Sequence, residues 1–128
     1  MRRVLLLMTL VLVAAAWTPL SNATVKWFHS PSKNIACEVS VGLPRGTYAL
    51  CTTDKPPQRA VLKANGHTSV CVRIHCLSNM PVNSLKLAYG KSVRLGPFRC
   101  TSRSDGMRCI VVRTGRGFLI SRETVTVF

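Results

Sequence analysis

A hairpin signature occupies residues 98–114, which read FRCTSRSDGMRCIVVRT. Two strand-like runs, residues 98–102 and 107–114, flank the turn sequence Arg103-Ser104-Asp105-Gly106, in which the glycine is available for a left-handed conformation. An antiparallel pairing of the two runs places Cys100 across from Cys109. The sequence therefore predicts a disulfide that joins neighbouring strands.

A second signature of the same kind lies upstream. Residues 34–40 and 47–53 are short strand-like runs around Gly42-Leu43-Pro44-Arg45-Gly46. An antiparallel register centred on Pro44 places Cys37 opposite Cys51, so we expect these two cysteines to pair as well.

The two remaining cysteines, Cys71 and Cys76, present a conflict. In an extended strand Val70, Val72 and Cys76 share one face and Cys71 points to the other. Five residues of extended chain separate Cα atoms by roughly 16 Å, whereas a disulfide tolerates roughly 7 Å. Either the segment bends sharply, or its cysteines pair with those of the first hairpin. All six cysteines are nevertheless expected to form disulfides, because an even number in a small basic exported domain is typical of a disulfide framework: Cys37, Cys51, Cys71, Cys76, Cys100 and Cys109.

The rest of the chain is divided into short segments rich in β-branched residues. Turn sequences such as Asn65-Gly66, Gly96-Pro97 and Asp105-Gly106 recur at close intervals, and no window after residue 23 shows a convincing helical apolar stripe. We therefore expect a single all-β domain over residues 24–128, a small disulfide-stapled antiparallel meander, sandwich or barrel.

The first 23 residues have the features of a targeting segment. Arg2 and Arg3 precede an apolar run over residues 4–17, and Pro19 and Ser21-Asn22-Ala23 follow it. The run is shorter than the roughly 20 apolar residues that a bilayer requires. Charge, length and small residues predict a cleaved secretory signal peptide at residues 1–23 and a secreted, extracellular protein that can associate with the cell envelope.

Several short motifs follow one another in a recognisable order. The sequence FHSPSKNIAC begins at Phe28, and LAYG (87–90), GPFRCTS (96–102), GMRC (106–109), TGRGF (114–118) and Ser121-Arg122 follow. This succession resembles a family of secreted actinobacterial domains of unknown function. The resemblance implies a secreted, disulfide-bonded module without a known activity, catalytic residue or cofactor. Two departures are the close spacing of Cys71 and Cys76 and the presence of Arg116 where the family commonly has histidine.

Positive charge dominates the composition. The chain has 18 Lys+Arg against 4 Asp+Glu, a formal charge of +14, and removal of residues 1–23 would take away only two of the arginines. Seven arginines fall in the C-terminal third, where hairpins could gather several of them on an anion-binding face: Arg94, Arg99, Arg103, Arg108, Arg113, Arg116 and Arg122. We expect an anionic cell-wall polymer or a membrane surface as the partner, and the alternative is a basic surface that only keeps the protein soluble. Nucleic acid is not expected, because the aromatic residues are few and scattered.

Catalytic and metal-binding patterns are weak. Because no motif joins His29 and His75 to a nucleophile, we expect a binding module with no catalytic residues. The alternatives are a small ribonuclease-like hydrolase that uses these histidines as an acid–base pair, or a disulfide-rich inhibitor or antimicrobial protein. Cys71, His75 and Cys76 lack the second closely spaced ligand pair of a structural zinc site, so we expect no metal and no cofactor.

Overall fold

The computed structural model describes residues 23–76, 79–81 and 83–128. The predicted signal peptide lies outside the described residues except for Ala23. The described residues form one turn of 3-10 helix, Ile74–Cys76, and eleven strands: β1 (Thr24–His29), β2 (Ile35–Leu43), β3 (Gly46–Asp54), β4 (Pro57–Lys63), β5 (Thr68–Val72), β6 (Leu85–Lys86), β7 (Ser92–Leu95), β8 (Phe98–Arg103), β9 (Gly106–Val111), β10 (Gly117–Ile120) and β11 (Val125–Val127). None of the described residues belongs to a helix with the length and apolar character needed to span a bilayer.

The strands form two sheets that pack face to face. The first sheet has the order β5-β4-β3-β2-β1-β6, and the second has the order β11-β10-β9-β8-β7. All neighbouring strands are antiparallel except β1 and β6, which pair in parallel. The prediction of an all-β fold is confirmed, and the described strands form a sandwich rather than a closed barrel.

Alternation along the strands decides which side chains enter the core. In β8 Phe98, Cys100 and Ser102 are buried, whereas Arg99 and Arg103 between and beside them are exposed. This period of two is expected of strands with one face on the core and the other in solvent. Both inner faces contribute large apolar side chains with no exposed surface, among them Phe28 from the first sheet and Phe98 and Phe118 from the second.

Two disulfides meet at the centre of the sandwich. Cys37–Cys51 joins β2 to β3 and Cys100–Cys109 joins β8 to β9, as predicted from the two hairpins. All four cysteines are fully buried, and Cys51 Sγ lies 3.7 Å from Cys109 Sγ. Neither sulfur carries a proton, so this is a van der Waals contact. Each disulfide joins two strands of the same sheet, and the two disulfides pack against one another across the core.

The third disulfide forms through a sharp bend. The strand β5 ends at Val72, Arg73 adopts a φ of 137°, and the 3-10 turn Ile74–Cys76 follows. These changes bring the Cα atoms of Cys71 and Cys76 to 5.7 Å from one another, and the two cysteines are bonded. Of the two alternatives left open by the sequence, the bend is confirmed.

The hairpin turns differ from the predicted ones at their edges. The turn between β2 and β3 is shorter than residues 42–46, because β2 continues to Leu43 through a register shift at Gly42, which has a φ of 74°. β9 ends at Val111 and not at residue 114, since the amides of Thr114 and Gly115 both donate to the Val111 carbonyl and close a turn.

Candidate anion-binding face and end cleft

The outer face of the second sheet carries four of the seven predicted arginines. Arg94 on β7 lies directly opposite Arg99 on β8, and both side chains point to solvent. Arg103 lies further along β8 on the same face. Arg108 on β9 lies opposite Thr101, between Arg99 and Arg103. We call Arg94, Arg99, Arg103 and Arg108 the arginine face.

The register makes these four arginines a continuous series. The partner of Arg99 on β9 is Ile110 and the partner of Arg103 is Gly106, so Arg108 is a diagonal neighbour of both. Diagonal neighbours on adjacent strands are roughly 7–8 Å apart, and directly opposite ones are closer. The series Arg94, Arg99, Arg108, Arg103 therefore crosses three strands without a break.

Little negative charge balances the arginine face. Among the described residues the only ion pair on it joins Arg103 to Asp105, with Nε to Oδ1 at 2.9 Å and Nη2 to Oδ2 at 3.1 Å. Both side chains of this pair are about half exposed, so water weakens the attraction. Arg108 instead packs on an aromatic ring, with its guanidinium carbon 4.9 Å from the centroid of Phe128.

Phe128 is a member of this face that the sequence did not predict. It joins the face because its backbone exchanges two hydrogen bonds with Gly117, which extends the pairing of β11 with β10 by one residue. No local pattern around residue 128 reveals this register, because it depends on the pairing of β11 with β10.

The structure places the other three predicted arginines elsewhere. Arg113 and Arg116 lie in the connection between β9 and β10, and Arg122 lies between β10 and β11. The side chain of Arg116 lies against Gly66, in the turn between β4 and β5 of the first sheet. The predicted anion-binding set is thus divided into a contiguous group of four and three separate residues.

Gly115, Arg116 and Gly117 lead from the turn after β9 into β10. The Gly115 amide donates to Val111 O, the Arg116 amide to Thr114 Oγ1 and the Gly117 amide to Phe128 O. All three N–H groups therefore have partners within the chain.

A polar cleft of about 380 Å³ opens at one end of the sandwich. It lies among the β1–β2, β8–β9 and β10–β11 connections and the segment around Tyr89. Its lining includes Ser30, Asn34, Tyr89, Asp105, Arg122 and Glu123. Arg103 also lines it, so the cleft and the arginine face share a residue. A neighbouring depression of about 240 Å³ shares Asn34 and Arg122 with the cleft and adds Lys33, Asp54 and Lys55.

Buried hydrogen bonds fix the walls of the cleft. The Ile35 amide donates to Ser30 Oγ and the Ser30 amide donates to the Ile35 carbonyl, which closes the β1–β2 loop. Gln58, which is 3 % exposed, donates through Nε2 to the carbonyls of Ser121 and Arg122 at 3.3 and 3.2 Å. This side chain ties the β10–β11 turn of the second sheet to the first sheet.

No motif in the sequence predicts this cleft. Its lining comes from separate segments of the chain, and no single motif contains a site. The cleft could have been predicted from the short motifs that resemble the secreted family, because several of their residues meet in it: Ser30, Ser32, Asn34, Tyr89, Gly106, Ser121 and Arg122.

The structure does not bring the two candidate catalytic histidines together. His29 lies on β1, where its Nδ1 is 2.7 Å from Ser84 Oγ, and His75 lies beside the Cys71–Cys76 disulfide. The register from His29 to Cys71 spans four strand spacings, which corresponds to about 19 Å.

The candidate ligands Cys71, His75 and Cys76 do lie close together. Their ligand atoms are all within 4.8 Å of one another. Both sulfurs, however, are committed to the disulfide. Thiolates are the form of cysteine that binds metals, so the oxidised protein offers only the imidazole of His75 here.

A protein-family model matches most of the chain. Residues 45–128, well over half of the chain, match the model of a family of unknown function, DUF6636. No curated protein and no solved structure matches the chain. The matched region includes strands β3 to β11, the arginine face and most of the residues that line the end cleft. The expectation of a domain of unknown function is confirmed, and the chain belongs to the DUF6636 family of unknown function.

Proposed function

We propose that this protein is a secreted cationic module that binds an anionic partner of the cell envelope or the extracellular space through the arginine face. The observation that carries the proposal is the unbroken series Arg94, Arg99, Arg108, Arg103 on the solvent side of one sheet. Arg94, Arg99 and Arg108 lie on adjacent strands and offer paired N–H donors to phosphate, sulfate or carboxylate groups, while Arg103 at the end of the series already donates to Asp105.

The energetics of the free face support this proposal. Like charges directly opposite one another on neighbouring strands destabilise a sheet, and Arg94 and Arg99 are such a pair. Stability alone would favour a carboxylate or a neutral residue at one of these positions. An anion bound between the two guanidinium groups removes the repulsion and gains charge-assisted hydrogen bonds.

The disulfides and the leader sequence support secretion. Disulfides persist in oxidising compartments and are rare in the cytosol, and all six cysteines are paired in this small domain. The apolar run at residues 4–17 after Arg2 and Arg3 supplies an export signal in the same proposal.

The test compares two double variants of equal charge. R94T/R99T removes the opposed arginines and replaces them with a β-branched residue that suits a strand. K63T/R113T removes two exposed cationic residues that lie outside the arginine face. Oxidised protein would be applied to immobilised dextran sulfate and to phosphatidylglycerol vesicles, and bound protein would be measured at increasing salt.

We expect R94T/R99T to dissociate at clearly lower salt than either the native protein or K63T/R113T. The slope of log affinity against log salt should fall by about two for R94T/R99T, because roughly one counterion is released for each cation–anion contact. Equal behaviour of the two double variants would show that only net charge matters and would contradict the proposal.

A further inference from the structure

The end cleft differs in charge from the rest of the molecule. The chain has only four carboxylates against 18 basic residues, and three of the four line the cleft or the depression beside it: Asp54, Asp105 and Glu123. The fourth, Glu38, is buried on another part of the first sheet. Within the cleft Asp105 and Glu123 balance Arg103 and Arg122. A polyanion is therefore attracted to the arginine face and gains little electrostatically from entering the cleft.

The polar groups of the cleft suit a ligand that both donates and accepts hydrogen bonds. The carboxylates of Asp105 and Glu123 only accept, the guanidinium of Arg122 only donates, and the Asn34 amide does both. Sugar hydroxyl groups have the same dual capacity and can match such a mixture, whereas a simple anion can use only the donors. The volume of about 380 Å³ lies within the range of small-molecule sites.

An aromatic side chain completes the arrangement. Tyr89 is 54 % exposed and lines the cleft. An exposed tyrosine offers a flat apolar surface with a polar tip, and the C–H face of a pyranose ring packs well on such a surface. The Arg103–Asp105 pair, bonded through two contacts of 2.9 and 3.1 Å, holds the wall that joins the cleft to the arginine face.

We infer that the end cleft holds an uncharged sugar unit, and that the partner of the arginine face is an acidic glycan in which uncharged sugars alternate with anionic groups. This inference rests on the proposed function, because the arginine face supplies the anion sites and Arg103 connects them to the cleft. It adds the chemical class of the polymer and a second binding site.

The experiment measures binding of two probes by isothermal titration calorimetry. One probe is a hyaluronan oligosaccharide, which alternates N-acetylglucosamine with glucuronate, and the other is polyphosphate of matched charge, which contains no sugar. The variants are Tyr89→Ala and Asn34→Ala, two exposed cleft residues, together with Tyr89→Phe, which keeps the aromatic ring. R94T/R99T serves as the variant of the arginine face.

Native protein is expected to bind both probes. Tyr89→Ala should weaken hyaluronan binding about tenfold, and Tyr89→Phe should restore most of it, while both leave polyphosphate binding unchanged. Asn34→Ala should also weaken hyaluronan binding and leave polyphosphate binding unchanged. R94T/R99T should weaken the binding of both probes.

Three results would overturn the inference. If polyphosphate binds and hyaluronan does not, or if the cleft variants bind hyaluronan as the native protein does, the saccharide site is refuted and the proposed function stands. If neither probe binds, the proposed function fails together with the inference.

Discussion

Glu38 shows how a single residue fits an unusual environment. It is 8 % exposed, and its Oε1 accepts a hydrogen bond of 3.1 Å from the Tyr48 hydroxyl and lies 3.6 Å from Arg45 Nη2. A buried carboxylate needs such partners, because its desolvation is otherwise not compensated. Burial, and then the hydrogen bond to Glu38, raise the pKa of Tyr48 above its ordinary value.

The raised pKa of Tyr48 predicts that the free energy of unfolding falls at alkaline pH. Because the pKa of Tyr48 is higher in the folded state, the unfolded chain loses the phenol proton first as pH rises past about 10, and the free energy of unfolding falls until the folded-state pKa is passed. Tyr48→Phe cannot lose this proton. Urea unfolding should show that the free energy of unfolding of the native protein exceeds that of Tyr48→Phe by about 1–3 kcal/mol at neutral pH. This difference in stability should shrink above about pH 10. A difference independent of pH would contradict the assignment.

Gly117 gives a second prediction for a single residue. A Cβ atom at this position would overlap the Cys109 carbonyl oxygen, which belongs to the neighbouring strand. Gly117→Ala should therefore destabilise the protein by about 3 kcal/mol or more, because backbone must move to admit the methyl group. Gly115→Ala is the matched control, since its Cβ has open space and carries only the cost of a φ of 74°, about 1–2 kcal/mol. Thermal unfolding would measure the stability of both variants. Equal losses of stability would refute the steric argument.

At the scale of elements, the two cysteine hairpins were predictable because the information for them is local. Alternation and turn residues fix a hairpin register, and both Cys37–Cys51 and Cys100–Cys109 follow from it. The parallel pairing of β1 with β6 was not predictable, because about 60 residues separate them and their register depends on the packed sandwich. The cleft was missed for the same reason, since its walls come from loops that only the two-sheet packing brings together.

The three disulfides should differ in their resistance to reduction. Cys37, Cys51, Cys100 and Cys109 are fully buried between the sheets, whereas Cys71 is partly exposed in a bend at the edge of the first sheet. Thiol attack requires access to a sulfur atom, so the Cys71–Cys76 bond should be reduced first. Graded dithiothreitol followed by alkylation and mass spectrometry should label Cys71 and Cys76 while the other four remain bonded. Earlier labelling of a core cysteine would show that the sandwich opens more readily than its packing indicates.

At the scale of the whole molecule, charge is distributed unevenly over the sandwich. Four arginines crowd the outer face of the second sheet, and the exposed carboxylates are at or beside the cleft at one end. A chain with a formal charge of +14 repels itself, and the central pair of disulfides within an apolar core offsets that repulsion. The fold thus maintains a concentration of positive charge on one sheet face, where a charged partner can approach several arginines at once.

The most direct test of the arginine face is a chemical-shift map. Oxidised protein labelled with nitrogen-15 would be titrated with short-chain polyphosphate at moderate salt. We predict saturable shifts of the β7, β8 and β9 amides, centred on Arg94, Arg99 and Arg108, and small changes at Leu50 and Val61 on the outer side of the first sheet. Shifts spread evenly over both sheets, or centred on the first sheet, would contradict the claim that this face is the binding surface.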